Sequence, residues 1–593
     1  MSDLYARIRA TVVAALHAVV PGLPDEVAAR VEVTPTKDPV HGDMATNAAM
    51  VCAKAARMAP ARIAEALAAA LSDGPDVLRA TPAGPGFVNI VLRPDTVRAI
   101  LPAVLRAGEA YGDGTAGQGR RVNVEYVSAN PTGPMHIGHC RGAVVGDALS
   151  NLLRKAGFAV TKEYYINDAG AQVQALGWAA YWRYLQAAGT ALTEDEYAAL
   201  VPGGLQYKGD YLVPVGDALF AEHGAALAGP DATVADPALW LDTVRDFAVT
   251  AMMDSIRVDL AALGVQPDVF TSERALVEAG APDRTIERLQ SDGLIYEGVL
   301  QPPKGKTPDD WEPREQTLFR ATQFGDDVDR PLRKSDGSNT YFANDIAYHA
   351  DKAARGAQTM IDVLGADHGG YVSRMKSAVR ALAGNTDTRL DVVLCQIVHV
   401  LRAGQPVRMS KRAGTYVTLA DLLEWVGRDA VRFTMLTRKS DAQMEFDLDL
   451  AVAQTRENPV FYVQYAHARC RSVLRAAAES YGALDGLADV PLDSLGADAE
   501  LALIRRLAGW PRTVEGAAIA QEPHRIAFYL YDLAGDFHML WNRGRDDATM
   551  RFLQADHRAE TMARLALVSA TAIVIRSGLR VLGVEPVEEL RSP

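Results

Sequence analysis

Two short stretches carry side chains whose types and spacing suit work on a polyphosphate. The first is His136-Ile137-Gly138-His139, inside VEYVSANPTGPMHIGHCRGAVVGDALSNLLRKAGF, where a strand-like apolar run gives way to a long helical pattern capped by Gly157. At such a turn the first helical N–H groups have no intrahelical partner and the helix dipole is positive, so phosphates are favoured there. Imidazoles at i and i+3 share a helix face and add donors, while Gly138 and Gly142 leave bare backbone against which a base or ribose can lie. The second stretch is LRAGQPVRMSKRAGTYVTLADLL, with Arg402, Arg408, Lys411 and Arg412 and no acid before Asp421. A glycine-flanked basic loop closing over a triphosphate would neutralise the charge that spreads over the α-phosphate and the departing pyrophosphate. Lys411 suits this as a mobile point charge. Read alone, the basic stretch is more readily a solvated loop, whereas the histidine stretch in its strand-to-helix context favours the functional reading over two surface histidines.

Two glycine-bearing decoys fail on context. Gly112, Gly114 and Gly117 satisfy GxGxxG but follow a helical pattern and precede a strand, the reverse of a dinucleotide fingerprint. Gly305-Lys306-Thr307 has no P-loop glycine at Leu300 and lies in the Pro-rich, acidic QPPKGKTPDD.

The elements that must position the two stretches follow from periodicity. VNVEYVS, a helix over 136–155, FAVTKEYYI and a helix from Ala169 form a βαβ pattern and predict a parallel sheet. Helical patterns over 175–265 read as an insertion between two halves of that sheet. TYFANDIAY, TMIDVLGADH and LDVVLCQIVHVL then read as strands, alternating with helical segments such as GYVSRMKSAVRALAG. Before this region, 1–115 reads as a small α/β domain with helices around 45–72, a strand over 81–92 and a glycine cluster at 111–119. Beyond it, 446–593 reads as an all-helical bundle. The expected fold class is thus multidomain α/β and α, with a parallel-sheet domain over 116–445.

The chain has 593 residues, too many for one core, and its 49% apolar and 23% charged composition is that of a water-soluble globular protein. Lys plus Arg number 61 against 74 Asp plus Glu, a net charge of −13, which excludes a protein that coats nucleic acid by bulk positive charge. Residues 458–593, however, carry 15 Arg, no Lys and 17 acids, so that segment is nearly neutral and all its cations are of the type that pairs with phosphate and stacks on bases. Cys52, Cys140, Cys395 and Cys470 form no CxxC pair, so no sequence-local metal site is expected and a reducing compartment fits. Leu565–Ile575, the longest late apolar run, falls short of the roughly 18 residues a membrane span needs, and the N-terminus reads as an amphipathic helix ending near Pro21-Gly22. A cytoplasmic chain is expected.

The two motifs in this order, His136–His139 after the first strand and a KMSKS-like RMSKR after the last strand of a split Rossmann-type sheet, resemble the class I aminoacyl-tRNA synthetases. Within that class the chain is similar to the arginyl-tRNA synthetases along nearly its whole length: GDMATNAAM, GPGFVNIVL, VEYVSANPTGPMHIGHCRGAVVGD, YINDAGAQV, YKGDYL, TYFANDIAYH, VLGADH, RMSKRAG and ENPVFYVQYAHAR. The resemblance implies that L-arginine and ATP, the latter with Mg2+ as its substrate complex and no protein-bound metal, give arginyl-adenylate and pyrophosphate. The arginyl group then passes to the 3′ end of tRNA-Arg. It assigns His136, Gly138, His139, Asp367, His368, Arg408, Met409, Ser410 and Lys411 to ATP, with His136, His139 and Lys411 in the chemistry. Glu125, Ser128, Asn130, His139, Tyr341 and Asp345 are assigned to arginine, Asp345 mainly to the guanidinium. The first domain is implied to bind the tRNA elbow, through Phe87 and Asn89, and the helical bundle the anticodon, through Tyr462, Tyr465 and Trp541. A monomer without membrane contact is expected.

Arginine selection also makes sense without the family. A guanidinium is planar and permanently charged, so its pocket needs carboxylates with bidentate reach. Glu125 and Asn130 precede the His136 turn, and Tyr341 and Asp345 are spaced i, i+4, although a lone acid in such segments is usually a cap or a solvated strand end. Two departures from the family stand out: Arg408 occupies the signature's first Lys, and Leu590 stands where a methionine often ends the last helix. Another class I synthetase, such as one for cysteine, remains an alternative, although zinc-ligand cysteines are missing. So do a nucleotidyltransferase with the same histidine motif, which would not need the helical domain, and a non-catalytic tRNA-binding paralogue.

Overall fold

A computed structural model describes residues 3–36, 38–300, 314–334, 336–384, 386–407 and 417–590. Arg408, Met409, Ser410 and Lys411, and the 305–307 decoy, lie outside the described residues. The chain divides into two compact units, Met1–Ala116 with Gln454–Pro593, and Gly117–Ala453.

The first unit joins the two ends of the sequence. Strands Val33–Pro35, Met44–Thr46, Val77–Ala83 and Phe87–Leu92 form an antiparallel sheet. The expected single strand at 81–92 is therefore a hairpin turning through Gly84-Pro85-Gly86, as turn chemistry favours. Helices Pro459–Tyr481, Asp498–Ala508, Trp510–Ala520, His524–Asp546 and Arg558–Leu582 supply the helical part. The fully buried Trp510 donates its indole N–H to the Tyr111 carbonyl at 3.0 Å, and the Tyr111 hydroxyl donates to the Leu507 carbonyl at 3.2 Å. A Cβ on Gly112 would lie 2.5 Å from that indole nitrogen, so the first glycine of the GxGxxG decoy makes room for a tryptophan. Arg558–Leu582 is long and apolar enough to cross a membrane by length and composition, longer than the apolar run read from the sequence. Most of it is buried within the unit, where Arg564 pairs with Glu500 at 2.8 Å.

The second unit is built on a five-stranded parallel sheet of β1 (Arg121–Glu125), β2 (Ala159–Ile166), β3 (Val269–Ser272), β4 (Thr359–Gly365) and β5 (Arg389–Cys395). The spatial order is β5-β4-β1-β2-β3. The order reverses between β1 and β4, and in open parallel sheets ligands bind beyond the carboxyl ends of the strands at that point. Helix α1 (Ile137–Lys155) follows β1. The insertion is helical, with Ala171–Ala187, Glu194–Leu200, Val213–His223 and Leu241–Leu263.

Two strand expectations need correction. TYFANDIAY is not a strand but the start of helix α2 (Tyr341–Ala354). Its aromatic and β-branched content favours strand, but Thr340 caps the helix by accepting from the Ala343 N–H at 3.2 Å, and Phe342, Ala343, Ile346 and Ala347 bury one helical face. LDVVLCQIVHVL is two strands: β5 ends at Cys395, and Val398–Arg402 pairs instead with Gln405–Pro406 and Met444–Asp447 in a separate sheet.

Candidate active site

The chain leaves β1 through a strained corner. Val127 and Ser128 have φ of 71° and 39°, left-handed values that a β-branched residue rarely adopts and that cost on the order of 1–3 kcal/mol each. The strain turns the Ser128 hydroxyl back to donate to Glu125 at 2.9 Å, while its oxygen accepts from the Tyr165 N–H at 3.0 Å. Asn130, exposed beyond the corner, donates to Gln172 at 2.7 Å, joining the start of the YINDAGAQV helix to the same rim. The insertion reaches this loop: the Tyr211 hydroxyl of YKGDYL donates to the Thr132 carbonyl at 2.8 Å.

His136 is the N-cap of α1, and the two histidines form a reciprocal cap. His136 Nδ1 accepts from the Gly138 N–H at 3.1 Å, and His139 Nδ1 accepts from the His136 N–H at 3.4 Å. A nitrogen that accepts carries no proton, so each neutral ring holds its proton on Nε2. The rings stack with centroids 4.0 Å apart, and two Nε2–H donors therefore stand beside the positive end of a nineteen-residue helix. Arg141 fixes that helix from below, donating to the carbonyls of Gln396, Lys439 and Ala442 at 2.7–2.9 Å.

The far flank of the basic segment is joined to this turn. The Ile137 N–H donates to the Val417 carbonyl at 3.3 Å, the Leu419 N–H donates to the Met135 carbonyl at 2.9 Å, and His136 bridges Thr418. On the near flank the Val407 N–H donates to Val400 at 2.9 Å.

Helix α2 sets Asp345 against Tyr371, which lies in the segment after β4. Its half-buried carboxylate accepts a short hydrogen bond from the Tyr371 hydroxyl. Burial, partly offset by that bond and by His349, raises its pKa to about 6, and the nearby carboxylates of Glu273 and Glu125 add to the rise. Such a carboxyl gains its charge most readily when a cation sits against it. Glu273 is buried at the start of the helix after β3, accepts from the Asn344 amide at 3.0 Å, and is also shifted up by burial. Neither Tyr371 nor Glu273 was marked by a motif; an acid at the first residue after a strand reads as a helix start, and only the fold sets it beside Asp345.

The remaining expected residues stand at the rim. Tyr341 is 64% exposed at the first turn of α2, with the Lys334 ammonium 5.6 Å from its ring centroid. Asp367 and His368 are exposed just beyond the end of β4, 3.8 Å apart. Among the described residues, those expected to contact substrate thus lie at the end of β1, in the segments that follow β1 and β4, and at the start of α2. Among the described residues no group of three or more His, Cys, Asp or Glu could hold a metal ion.

Family models match three parts of the chain: the arginyl tRNA synthetase N-terminal domain at residues 6–92, the tRNA synthetases class I (R) catalytic domain at 100–195, and the DALR anticodon binding domain at 463–590. An arginine–tRNA ligase of Gluconobacter oxydans is 62% identical over 592 residues, covering 99% of this chain and 98% of that one. The chain belongs to the arginyl-tRNA synthetases. Among solved structures, one from Campylobacter jejuni superposes at TM-score 0.70 with 30% identity, covering 84% of this chain and all of that one. Thermus thermophilus arginyl-tRNA synthetase shares the fold at TM-score 0.69 and 21% identity, over 98% of this chain and all of that one.

Arginyl-tRNA synthetase membership directs attention to the nominated tRNA contacts in the first unit. Phe87 and Asn89 share the outer face of their strand, opposite the buried Val88, Ile90 and Leu92. Tyr462, Tyr465 and Trp541 are half-buried on facing helices. Arg469 lies over Tyr465 and Trp541, 4.1 and 4.7 Å from their centroids, and bonds the Tyr465 hydroxyl at 2.8 Å. These side chains form a part-open cluster of aromatic rings and an arginine.

Proposed function

We propose that the protein is an arginine–tRNA ligase that activates L-arginine with ATP and transfers it to tRNA-Arg, with its site at the sheet's reversal point. The observation that carries this reading is what borders the loop after β1: Glu125 with Asp345 near it at the strand's end, and an Nε2-protonated histidine pair at the start of α1. The substrates are arginine and the Mg2+ complex of ATP.

In the first step an arginine carboxylate oxygen attacks the α-phosphorus, and the bond to the β,γ-phosphates breaks in line, releasing pyrophosphate. The added charge spreads over the phosphoryl oxygens, so catalysis here is positioning and electrostatics. His136 and His139 donate through Nε2–H, helped by the dipole of α1. Gly138 leaves room for the adenosine, and Asp367 and His368 contribute from the loop after β4. Lys411 supplies a positive charge to the α-phosphate and the departing pyrophosphate. It precedes Val417 by six residues, a tether of at most about 20 Å, and Val417 bonds Ile137. Arg408 keeps the charge of the usual lysine with a different shape, and Met409 and Ser410 complete the segment.

Asp345 receives the guanidinium, and Glu125, Ser128, Asn130, His139 and Tyr341 hold the rest of the amino acid. Lysine or citrulline would leave buried groups unpaired, so discrimination needs no editing site. The helical insertion instead braces the loop before His136 through Tyr211. Phe87 and Asn89 meet the tRNA elbow, and Tyr462, Tyr465 and Trp541 the anticodon. The chain works as a cytoplasmic monomer; among the described residues the one helix of spanning length is mostly buried, as in a core helix. Sedimentation of the pure protein checks the monomer: a dimer at micromolar concentration would refute it. The overall reading is tested by charging total tRNA with each labelled amino acid in turn. Arginine alone should be incorporated; any other product, or none, overturns it.

Two further outcomes are expected. Arginine binding requires ionised Asp345, whose pKa of about 6 in the free protein lies above the ordinary carboxylate value. The arginine KM should therefore be flat above pH 7 and rise roughly tenfold per unit as pH falls below 6. The thermal shift produced by arginine should shrink over the same window. A KM that stays flat to pH 5 would contradict the assignment. Second, Trp541→Ala should raise the KM for tRNA about 10-fold or more, the scale of one lost base stack, with the arginine KM unchanged. An unchanged tRNA KM would remove Trp541 from the interface.

A further inference from the structure

Three acids stand in one row across the middle of the parallel sheet. The strand register sets Asp362 of β4 opposite Glu125 of β1, and Glu125 opposite Glu163 of β2. Like charges directly opposite on one face repel, and all three side chains are buried. Each is matched from a single helix. His349, Lys352 and Arg355, at i, i+3 and i+6 along α2 and its C-cap, meet the row in order. His349 Nε2 lies 2.9 Å from Asp362, Lys352 Nζ donates to Asp362 at 3.0 Å and to Glu125 at 2.5 Å, and Arg355 donates to both oxygens of Glu163 at 2.7 and 3.0 Å. The other His349 nitrogen, Nδ1, faces the Asp345 carbonyl at 2.8 Å. Both ring nitrogens thus face acceptors, so both carry protons and His349 is a cation. The buried His349 and Lys352 and the more exposed Arg355 then balance three buried carboxylates. Asn123 and Thr271, each donating to Glu163 at 2.5 Å, complete the row.

The row ties together the two sides of the arginine pocket: Lys352 holds Glu125, and His349 holds the turn of α2 that carries Asp345. We propose that Lys352, with His349, is a positioning residue that holds the Glu125 carboxylate in register with Asp345, and so sets arginine affinity without touching arginine. This rests on the assignment of Glu125 and Asp345 to arginine. The shifts agree in direction: although burial opposes charge, Asp362 and Glu125 hold the Lys352 ammonium above its usual range, and Lys352 and His349 hold Asp362 below its own. The groups facing Glu125 are Lys352 and Tyr348 of α2 and Ser128 of the corner, with Asp345 nearby; those facing Lys352 are Glu125, Asp362, Glu163 and the Tyr348 ring, 4.3 Å from the ammonium. Without the lysine, two carboxylates share a buried row with too few cations, and Glu125 loses the partner that fixes its place.

The test is aminoacylation kinetics on the full-length protein, Lys352→Met, Lys352→Arg and Glu125→Gln. Lys352→Met should raise the arginine KM at least 30-fold at pH 7, with the KM for ATP within about threefold. Lys352→Arg should restore most of the affinity. Arginine and ATP KM rising together, or an Arg variant as defective as the Met one, would overturn the proposal. If Lys352→Met does not fold, His349→Gln takes its place, with an expected 3- to 10-fold rise in arginine KM; no rise refutes the coupling. Glu125→Gln separates the two claims: if it leaves arginine KM unchanged, the pocket assignment has failed, whereas a large Glu125→Gln effect with a silent Lys352→Met defeats the positioning role alone.

Discussion

Replacing Lys411 with alanine is expected to slow arginyl-adenylate formation by about 10²–10³-fold, the scale of removing one preorganised donor from a charged transition state. The lysine's charge is used only when negative charge spreads toward the leaving pyrophosphate, so the ground state loses little. The arginine KM should change by less than about threefold, because an interaction realised only in the transition state appears in the rate and not in substrate binding. The joining of Val417–Leu419 to Met135–Ile137 supports this expectation, since it seats one end of the basic segment against the histidine turn. Single-turnover measurement of adenylate in a quenched mixture reads the step directly. A Lys411→Ala variant with unchanged turnover would refute the loop's role.

Asp345→Asn is expected to weaken arginine binding by roughly 100-fold at pH 7.5, within the range for removing one partner of a desolvated charge pair. The substitution is nearly isosteric and keeps an acceptor for Tyr371, so α2 should keep its place on the sheet. Binding of ATP should be close to unchanged. The same variant should lose the rise in arginine KM below pH 6, because asparagine does not titrate. A variant in which arginine and ATP KM rise together would indicate damage to the fold rather than loss of a specific contact.

Much of the site is legible in the sequence because its parts are local. His136–His139 lies between a strand pattern and a helix pattern, and the strand-to-helix turn is a consequence of periodicity alone. The tautomers are not legible: the Nδ1 caps that place the protons on Nε2 are tertiary detail at a helix end. TYFANDIAY misleads because its aromatic and isoleucine content favours strand, whereas its burial pattern and the Thr340 cap make it helical. That misreading hides more than one element. Once the segment is a helix, His349, Lys352 and Arg355 fall on one face, and their match to Asp362, Glu125 and Glu163 becomes visible; as a strand, they do not align. Glu273 and Tyr371 carry no motif, and only the parallel order of five strands brings them to Asp345. The near-neutral, all-arginine balance of the last segment is legible in the sequence despite the acidic whole, whereas the placement of Arg469 over Tyr465 and Trp541 is not, since Trp541 lies on a different helix.

The central claim is that the pocket reads the positive charge of arginine through Asp345. It is tested most directly by comparing arginine with citrulline, its neutral isostere, in adenylate formation by the wild-type chain and by Asp345→Asn. The wild-type chain should prefer arginine strongly, and the substitution should reduce that preference about 100-fold by lowering kcat/KM for arginine while leaving the citrulline value nearly unchanged. A preference that survives the substitution, or an equal loss for both amino acids, would contradict the account.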